Sequence, residues 1–214
     1  MIASFACLFA LMDQPTLGQR WHYDLIWHFH NKEINLTDEE SFDVEVAKVK
    51  ADSVTLKVSQ KLVSSVIDDQ RILTDPKSIP ATHEWALSGS GSVAFMPNAR
   101  FSLESRLFRI LKGVMPEPTG DSARLGDWTV EFADDGLGMP FARLNVSATK
   151  VSKDTSEFGL RYREKNGTYG TGRFVRRVKT PFPSSVEIHF TNTTMSGGTD
   201  IVDCDFVMKL KLDK

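Results

Sequence analysis

Alternation constrains the fold of this chain more than any other feature. Trp21, Tyr23, Leu25, Trp27 and Phe29 alternate with His22, Asp24, Ile26, His28 and His30. Successive side chains on an extended strand point to opposite faces, so this segment reads as a strand with a strongly apolar face and a mainly polar one. Phe42, Val44 and Val46 continue the pattern, Ala51-Asp52 turns the chain, and Val54, Leu56, Val58 and Leu62 run back. Two antiparallel strands joined by a short turn account for both runs.

The same period returns after Gly120. Gly126-Asp127-Trp128 opens a strand that runs through Phe132, and Asp134-Asp135-Gly136 closes it. Ala142, Leu144, Val146 and Ala148 share one face of the next strand, and Phe158, Leu160 and Tyr162 line another. Asn166-Gly167 is the strongest hairpin signal, because both residues accept positive φ in a two-residue turn. Pro181 and Pro183 bound a loop before Val186, Ile188 and Phe190, and Ser196-Gly197-Gly198 turns into the last strand. There Val202, Cys204, Phe206, Met208, Leu210 and Leu212 alternate with Asp203, Asp205, Lys209 and Lys211.

One segment has the helical period. Leu103, Leu107, Ile110 and Leu111 are spaced by threes and fours, with Arg106, Arg109 and Lys112 between them, and Gly113 is placed as a C-terminal cap. An amphipathic helix of this kind packs on a sheet. The five-residue stretch Ser88-Gly89-Ser90-Gly91-Ser92 lies between apparent strands and reads as a hairpin loop, not an interdomain linker. The expected architecture is mainly β, with about ten or eleven strands in a single strongly curved antiparallel sheet, half-barrel-like, and one amphipathic helix packed on it. Gly159, Gly170 and Gly172 fall inside neighbouring strands, where glycine marks a bulge, a bend or a close backbone approach.

Residues 1–19 form a signal-like apolar segment or an N-terminal arm, and residues 20–214 form one β-rich domain. Ile2 to Met12 has the length and apolarity of a secretory h-region, ended by Asp13-Gln14-Pro15. No Lys or Arg follows Met1 and no clear A-x-A site lies downstream, so packing of this stretch into the core stands as the alternative. Export to the periplasm or cell surface is the expected localisation, with the cytoplasm as alternative. No apolar run approaches the roughly 18 residues that a membrane-spanning helix needs. Four Asn residues (Asn35, Asn145, Asn166 and Asn192) head N-x-S/T triplets, a pattern that Asn and Thr also produce by gathering at turns and strand ends. A formal charge of −2 argues against a chain that holds nucleic acid by bulk electrostatics.

A long antiparallel sheet curled round a helix-bearing connection, behind a signal-like segment, resembles the half-barrel domains of exported bacterial proteins. The lipoprotein-carrier and lipid-binding lipoprotein families are the best-known users of that shape. Gly126-Asp127-Trp128-Thr129-Val130-Glu131 and Gly170-Thr171-Gly172-Arg173-Phe174 are also similar to stretches in uncharacterised exported β-rich families. The resemblance covers roughly residues 20–212 and implies architecture. It transfers no catalytic or binding residue.

No nucleophile elbow, dinucleotide fingerprint or phosphate loop is present. The chemistry that the residues offer is metal ligation. His28 and His30 are two apart on one strand and point the same way, with His22 and Asp24 on the same face. His189 joins them if its strand pairs with theirs, and two strand histidines with a third His or a carboxylate make a zinc or iron facial arrangement. The alternation alone also explains these residues, as the solvated face opposite Trp21 and Phe29. Arg161, Arg163, Arg173, Arg176, Arg177 and Lys179 form a local basic patch suited to anionic headgroups or an acidic partner, or a solvated outer face balanced by acidic segments.

Three functions follow as expectations. The first is a non-enzymatic exported β-domain, without cofactor, whose curved sheet binds an apolar small molecule, a lipid or a protein partner. The second is a metal-dependent enzyme using a divalent metal on the His28/His30 strand face with His189. The third is a structural envelope or surface module.

Overall fold

The computed structural model describes residues 16–73, 75, 81–88, 93–95, 103–115, 127–133, 141–177, 180–194 and 200–211. The apolar stretch from Ile2 to Met12 with Cys7, the loop 89–92, Asp134-Asp135-Gly136, Lys179 and Ser196-Gly197-Gly198 lie outside the described residues.

The strands are β1 (Arg20–His30), β2 (Asn35–Val49), β3 (Ser53–Ile67), β4 (Gln70–Leu73), β5 (Ala81–Ser88) and β6 (Val93–Phe95). The helix α1 (Leu103–Val114) follows, then β7 (Asp127–Phe132), β8 (Ala142–Val151), β9 (Thr155–Glu164), β10 (Tyr169–Arg177), β11 (Ser185–Thr194) and β12 (Ile201–Lys211). All twelve strands belong to one sheet in the order β6-β5-β3-β2-β1-β12-β11-β10-β9-β8-β7, with β4 pairing β3 beside β5. Every pairing is antiparallel. The N-terminal and C-terminal strand runs are thus joined through β1 and β12, which close the sheet's middle.

Curvature follows from where α1 sits. The helix touches β6 at one end of the sheet and β7 and β8 at the other. Two ends separated by nine intervening strands reach one helix only if the sheet curls round it. No ladder joins β6 to β7 among the described residues, so the sheet stays open as a half-barrel. Ile110, Leu111 and Val114 are fully buried against the concave face. Arg109 is also buried and lies 5.7 Å from the centre of the Phe132 ring, a cation–π contact where the spacing led us to expect a polar helix face.

Gly113 is not a C-terminal cap: α1 continues to Val114. Its role is space, because a Cβ there would lie 2.3 Å from Leu144 Cδ2, and its carbonyl accepts the Trp128 Nε1 hydrogen bond at 2.8 Å. The hairpin at Asn166-Gly167 is also longer than two residues. Glu164 and Thr168 close it through a 2.8 Å backbone bond, and Gly167 has a φ of 100° while Asn166 stays out of the left-handed region. A loop of this length needs only one residue at positive φ.

The concave face is packed with aromatic side chains. Tyr23, Trp27, Phe42, Phe174, Phe190 and Phe206 are completely buried. The loop between β10 and β11, expected only as a Pro-bounded connection, supplies a plug. Phe182 reaches across the sheet to Tyr23, Phe42 and Trp85, with ring centres at 6.3, 5.9 and 5.4 Å. Contacts of this kind add specificity to simple area burial.

Tyr23 gives a test of this core at high pH. Desolvation raises its phenol well above the ordinary range, and its 3.4 Å bond to the Phe182 carbonyl opposes that only weakly. A group whose folded pKa is raised holds its full stabilisation below the unfolded value, about 10 for Tyr, and loses it as pH climbs toward the folded value. Urea midpoints should therefore fall as pH rises above 10 in the wild type and fall less in Tyr23→Phe. Equal alkaline slopes in the two proteins would place the titration elsewhere.

Candidate metal centre

The polar face of β1 carries His28 and His30, and the strand order decides what lies beside them. β1 and β11 do not pair with each other; β12 runs between them. In register, His28 faces Asp205 of β12, and Asp205 faces His189 of β11, so one straight cross-strand row holds all three. His30 lies one step along, opposite Asp203. Directly opposed residues in an antiparallel pair share a face, which brings side chains distant in sequence into contact.

Asp205 is the centre of the cluster. Its Oδ2 lies 3.3 Å from His30 Nε2 and 3.7 Å from His28 Nδ1. Its other oxygen, Oδ1, accepts a 2.7 Å hydrogen bond from His189 Nδ1. One ligand atom each from His28, His30 and Asp205 falls within 4.8 Å of the others. The rings of His28 and His30 are 4.8 Å apart, and those of His30 and His189 6.3 Å. His28 Nε2 lies 3.0 Å from Asn35 Oδ1, a contact that suits the tautomer with its proton on Nε2. In that tautomer the Nδ1 lone pair faces the Asp205 carboxylate.

Partial burial by itself would raise the Asp205 carboxyl. The hydrogen bonds and charges of His189 and His30 outweigh it and hold the group below the usual carboxylate range. Asp205 is consequently ionised at neutral pH, ready to accept a proton donor or to ligate a cation.

His30 Nε2 and His189 Nδ1 are both within hydrogen-bond distance of Asp205, one on each carboxylate oxygen. Zinc–ligand bonds near 2.0–2.1 Å in a tetrahedron put ligand atoms about 3.3 Å apart. The His30 separation from Asp205 Oδ2 matches that value and the His28 separation, at 3.7 Å, exceeds it. The His189–Asp205 contact is a hydrogen bond on the far oxygen, the place of a group that orients a ligating carboxylate. The side chains are each between 35% and 46% exposed, so small rotations are open to all of them.

His22, the other histidine of this face, lies apart from the cluster. Its Nδ1 is 2.6 Å from Asp43 Oδ1 and its Nε2 is 3.2 Å from Asp24 Oδ1. Asp205 was not among the metal candidates read from the sequence. Its alternation with Val202, Cys204 and Phe206 placed it on a polar face, but no local signal says which strand that face adjoins.

The basic patch separates into different environments. Arg173 forms a two-bond fork on Glu187 Oε2 at 2.7 and 2.9 Å. Arg176 has the parity of the buried Phe174, and desolvation lowers its guanidinium to about 10. Arg161 and Arg163 remain exposed on the outer face of β9. Cys204 of β12 is buried. Among the described residues, no helix is long and apolar enough to cross a membrane.

No protein-family model matches the chain, and no curated protein matches it. Among solved structures, it is similar to a "putative exported protein with YmcC-like fold" from Bacteroides fragilis, at 7% identity and a TM-score of 0.33. That similarity spans 95% of this chain and 100% of the other. At that TM-score the likeness carries no inference about this chain.

Proposed function

We propose that this protein is an exported β-rich domain that binds one divalent transition-metal ion on the outer face of its sheet. His28 Nδ1, His30 Nε2 and Asp205 Oδ2 are the ligands, and His189 orients the carboxylate from its other oxygen. The observation that carries this reading is the convergence of His28 Nδ1 and His30 Nε2 on one oxygen of Asp205, at 3.7 and 3.3 Å, with one ligand atom of each residue within 4.8 Å of the others. In the tautomer with its proton on Nε2, His28 Nδ1 and the carboxylate are two acceptors that need a proton or a cation between them, and the second nitrogen, His30 Nε2 at 3.3 Å from the same oxygen, completes a facial set for the cation.

Two imidazoles and a carboxylate suit a borderline ion such as zinc or iron(II). The set leaves coordination positions open to an external ligand. Export rests on the apolar stretch from Ile2 to Met12. An apolar ligand on the concave face is less well supported, because it would have to displace Phe182 and the buried side chains of α1.

Isothermal titration of chelator-treated full-length protein with zinc tests the reading. One equivalent should bind, and affinity should drop on acidification because protons compete for the imidazole nitrogens. The double variant His28→Ala/His30→Ala should bind none at that stoichiometry. Absence of zinc uptake by the wild type, or unchanged uptake by the double variant, would overturn the proposal.

A further inference from the structure

The outer face carries a second feature in register with the metal centre. On β9, Arg161 faces Thr171 of β10, and Thr171 faces His189 of β11. The row Arg161, Thr171, His189, Asp205, His28 therefore runs unbroken across five strands. Arg163 faces Tyr169, which faces Thr191, one step along in the direction that leads from His28 to His30. The two arginines repeat on β9 the spacing that the two histidines have on β1.

These arginines, like Arg177 at the far end of β10, have no carboxylate partner among the described residues, unlike the other arginines paired on this face. Arg20 pairs with Glu45, Arg71 with Glu39, Arg143 with Glu131 and Arg173 with Glu187. Neither the Arg161 nor the Arg163 side chain makes a hydrogen bond or ion pair with any described residue. A guanidinium fork is matched to carboxylate and phosphate oxygens, and two adjacent unpaired forks in a chain of net charge −2 mark a place for an anion supplied from outside.

We infer that the metal centre and the Arg161/Arg163 pair are the two ends of one binding site for a small soluble molecule with two acidic groups. This rests on the metal-binding reading above. One acidic group takes an open coordination position on the ion, and the other is held by the guanidinium groups. Length follows from the register. The ligands stand on β12 and β1, three and four strand spacings from β9, about 14 and 19 Å at the backbone, of which an extended arginine side chain spans about 6 Å. A single carboxylate or phosphate cannot span that gap, whereas a molecule with its acidic groups several atoms apart can. The exposed Tyr169 ring and the Thr171 side chain line the ground between the two ends.

The test is titration of the cobalt(II)-loaded full-length protein with acetate, succinate, adipate and suberate, read from the visible bands of the ion. Adipate and suberate should bind at least tenfold more tightly than acetate. Arg161→Gln/Arg163→Gln should reduce the long di-acids to the affinity of acetate while leaving cobalt affinity within twofold and the thermal midpoint unchanged. Equal affinities across the series, or a double variant that still favours the long di-acids, would overturn this inference and leave the metal site standing. Failure of the wild type to take up cobalt would overturn both together.

Discussion

Asp205→Asn should weaken zinc binding by about a hundredfold or more. Groups that merely orient a ligand typically contribute 10- to 100-fold in metal affinity, so loss of the ionised ligand itself lies at or beyond the upper end of that range. The substitution preserves shape and removes the charge toward which His28, His30 and His189 all point. His189→Gln should cost roughly tenfold, since it touches only the far oxygen. His22→Gln should leave affinity unchanged, because His22 is occupied by Asp24 and Asp43. Titration calorimetry on the three variants gives that order directly. A different outcome, with all four proteins showing no zinc-dependent rise in thermal midpoint, would reduce the cluster to a hydrogen-bonded surface group.

The second large effect is structural. Gly172→Ala should destabilise the protein by about 3 kcal/mol or more, at the upper end of the cost of overpacking. A Cβ at this position would lie 2.0 Å from the Glu187 carbonyl oxygen and 2.8 Å from Ile188 Cα. Both obstacles are backbone, so no rotamer change relieves them, and β10 must separate from β11. For a chain of this size the thermal midpoint should fall by roughly 10 °C. Because β11 carries His189 and pairs with β12, zinc affinity should fall as well. Gly159→Ala is the control: its nearest neighbour would be Thr149 Cγ2 at 3.7 Å, an ordinary contact, and its effect should be small. Equal losses at the two positions would mean that strand propensity, not close approach, explains these glycines.

That contrast shows where sequence reasoning was effective and where it stopped. Glycines inside strands implied a bulge, a bend or a close approach. At Gly172 and Gly170 the answer is close approach, to backbone in the first case and to the Phe190 ring in the second. The β9–β10 ladder has no register shift at either position. Choosing among the three required coordinates for β11, which lies beyond the local window.

The candidate metal centre follows the same division. His28 and His30 were legible as a pair because strand geometry places residues i and i+2 on one face. His189 was legible as a candidate partner. Asp205 was invisible in that role, since nothing in the alternation of the last strand names its neighbours. The approach of His189 was expected through direct pairing of its strand with β1, and β12 turned out to mediate it. An inserted strand brought a carboxylate with it, so the candidate set follows the alternative of two imidazoles and an acid that the sequence left without a named residue.

Periodicity by itself determined that this chain makes antiparallel strands with one buried and one solvated face, and that a single amphipathic helix must cover part of the buried one. Those are local properties, set by which side of a strand or helix each residue occupies. Tertiary structure alone decided that β1 and β12 adjoin, that Phe182 plugs the concave face, and that Asp205 sits among three histidines. Each of these depends on the order of strands in the sheet. That order is selected by the packing of the whole apolar face and leaves no mark on any short stretch of residues.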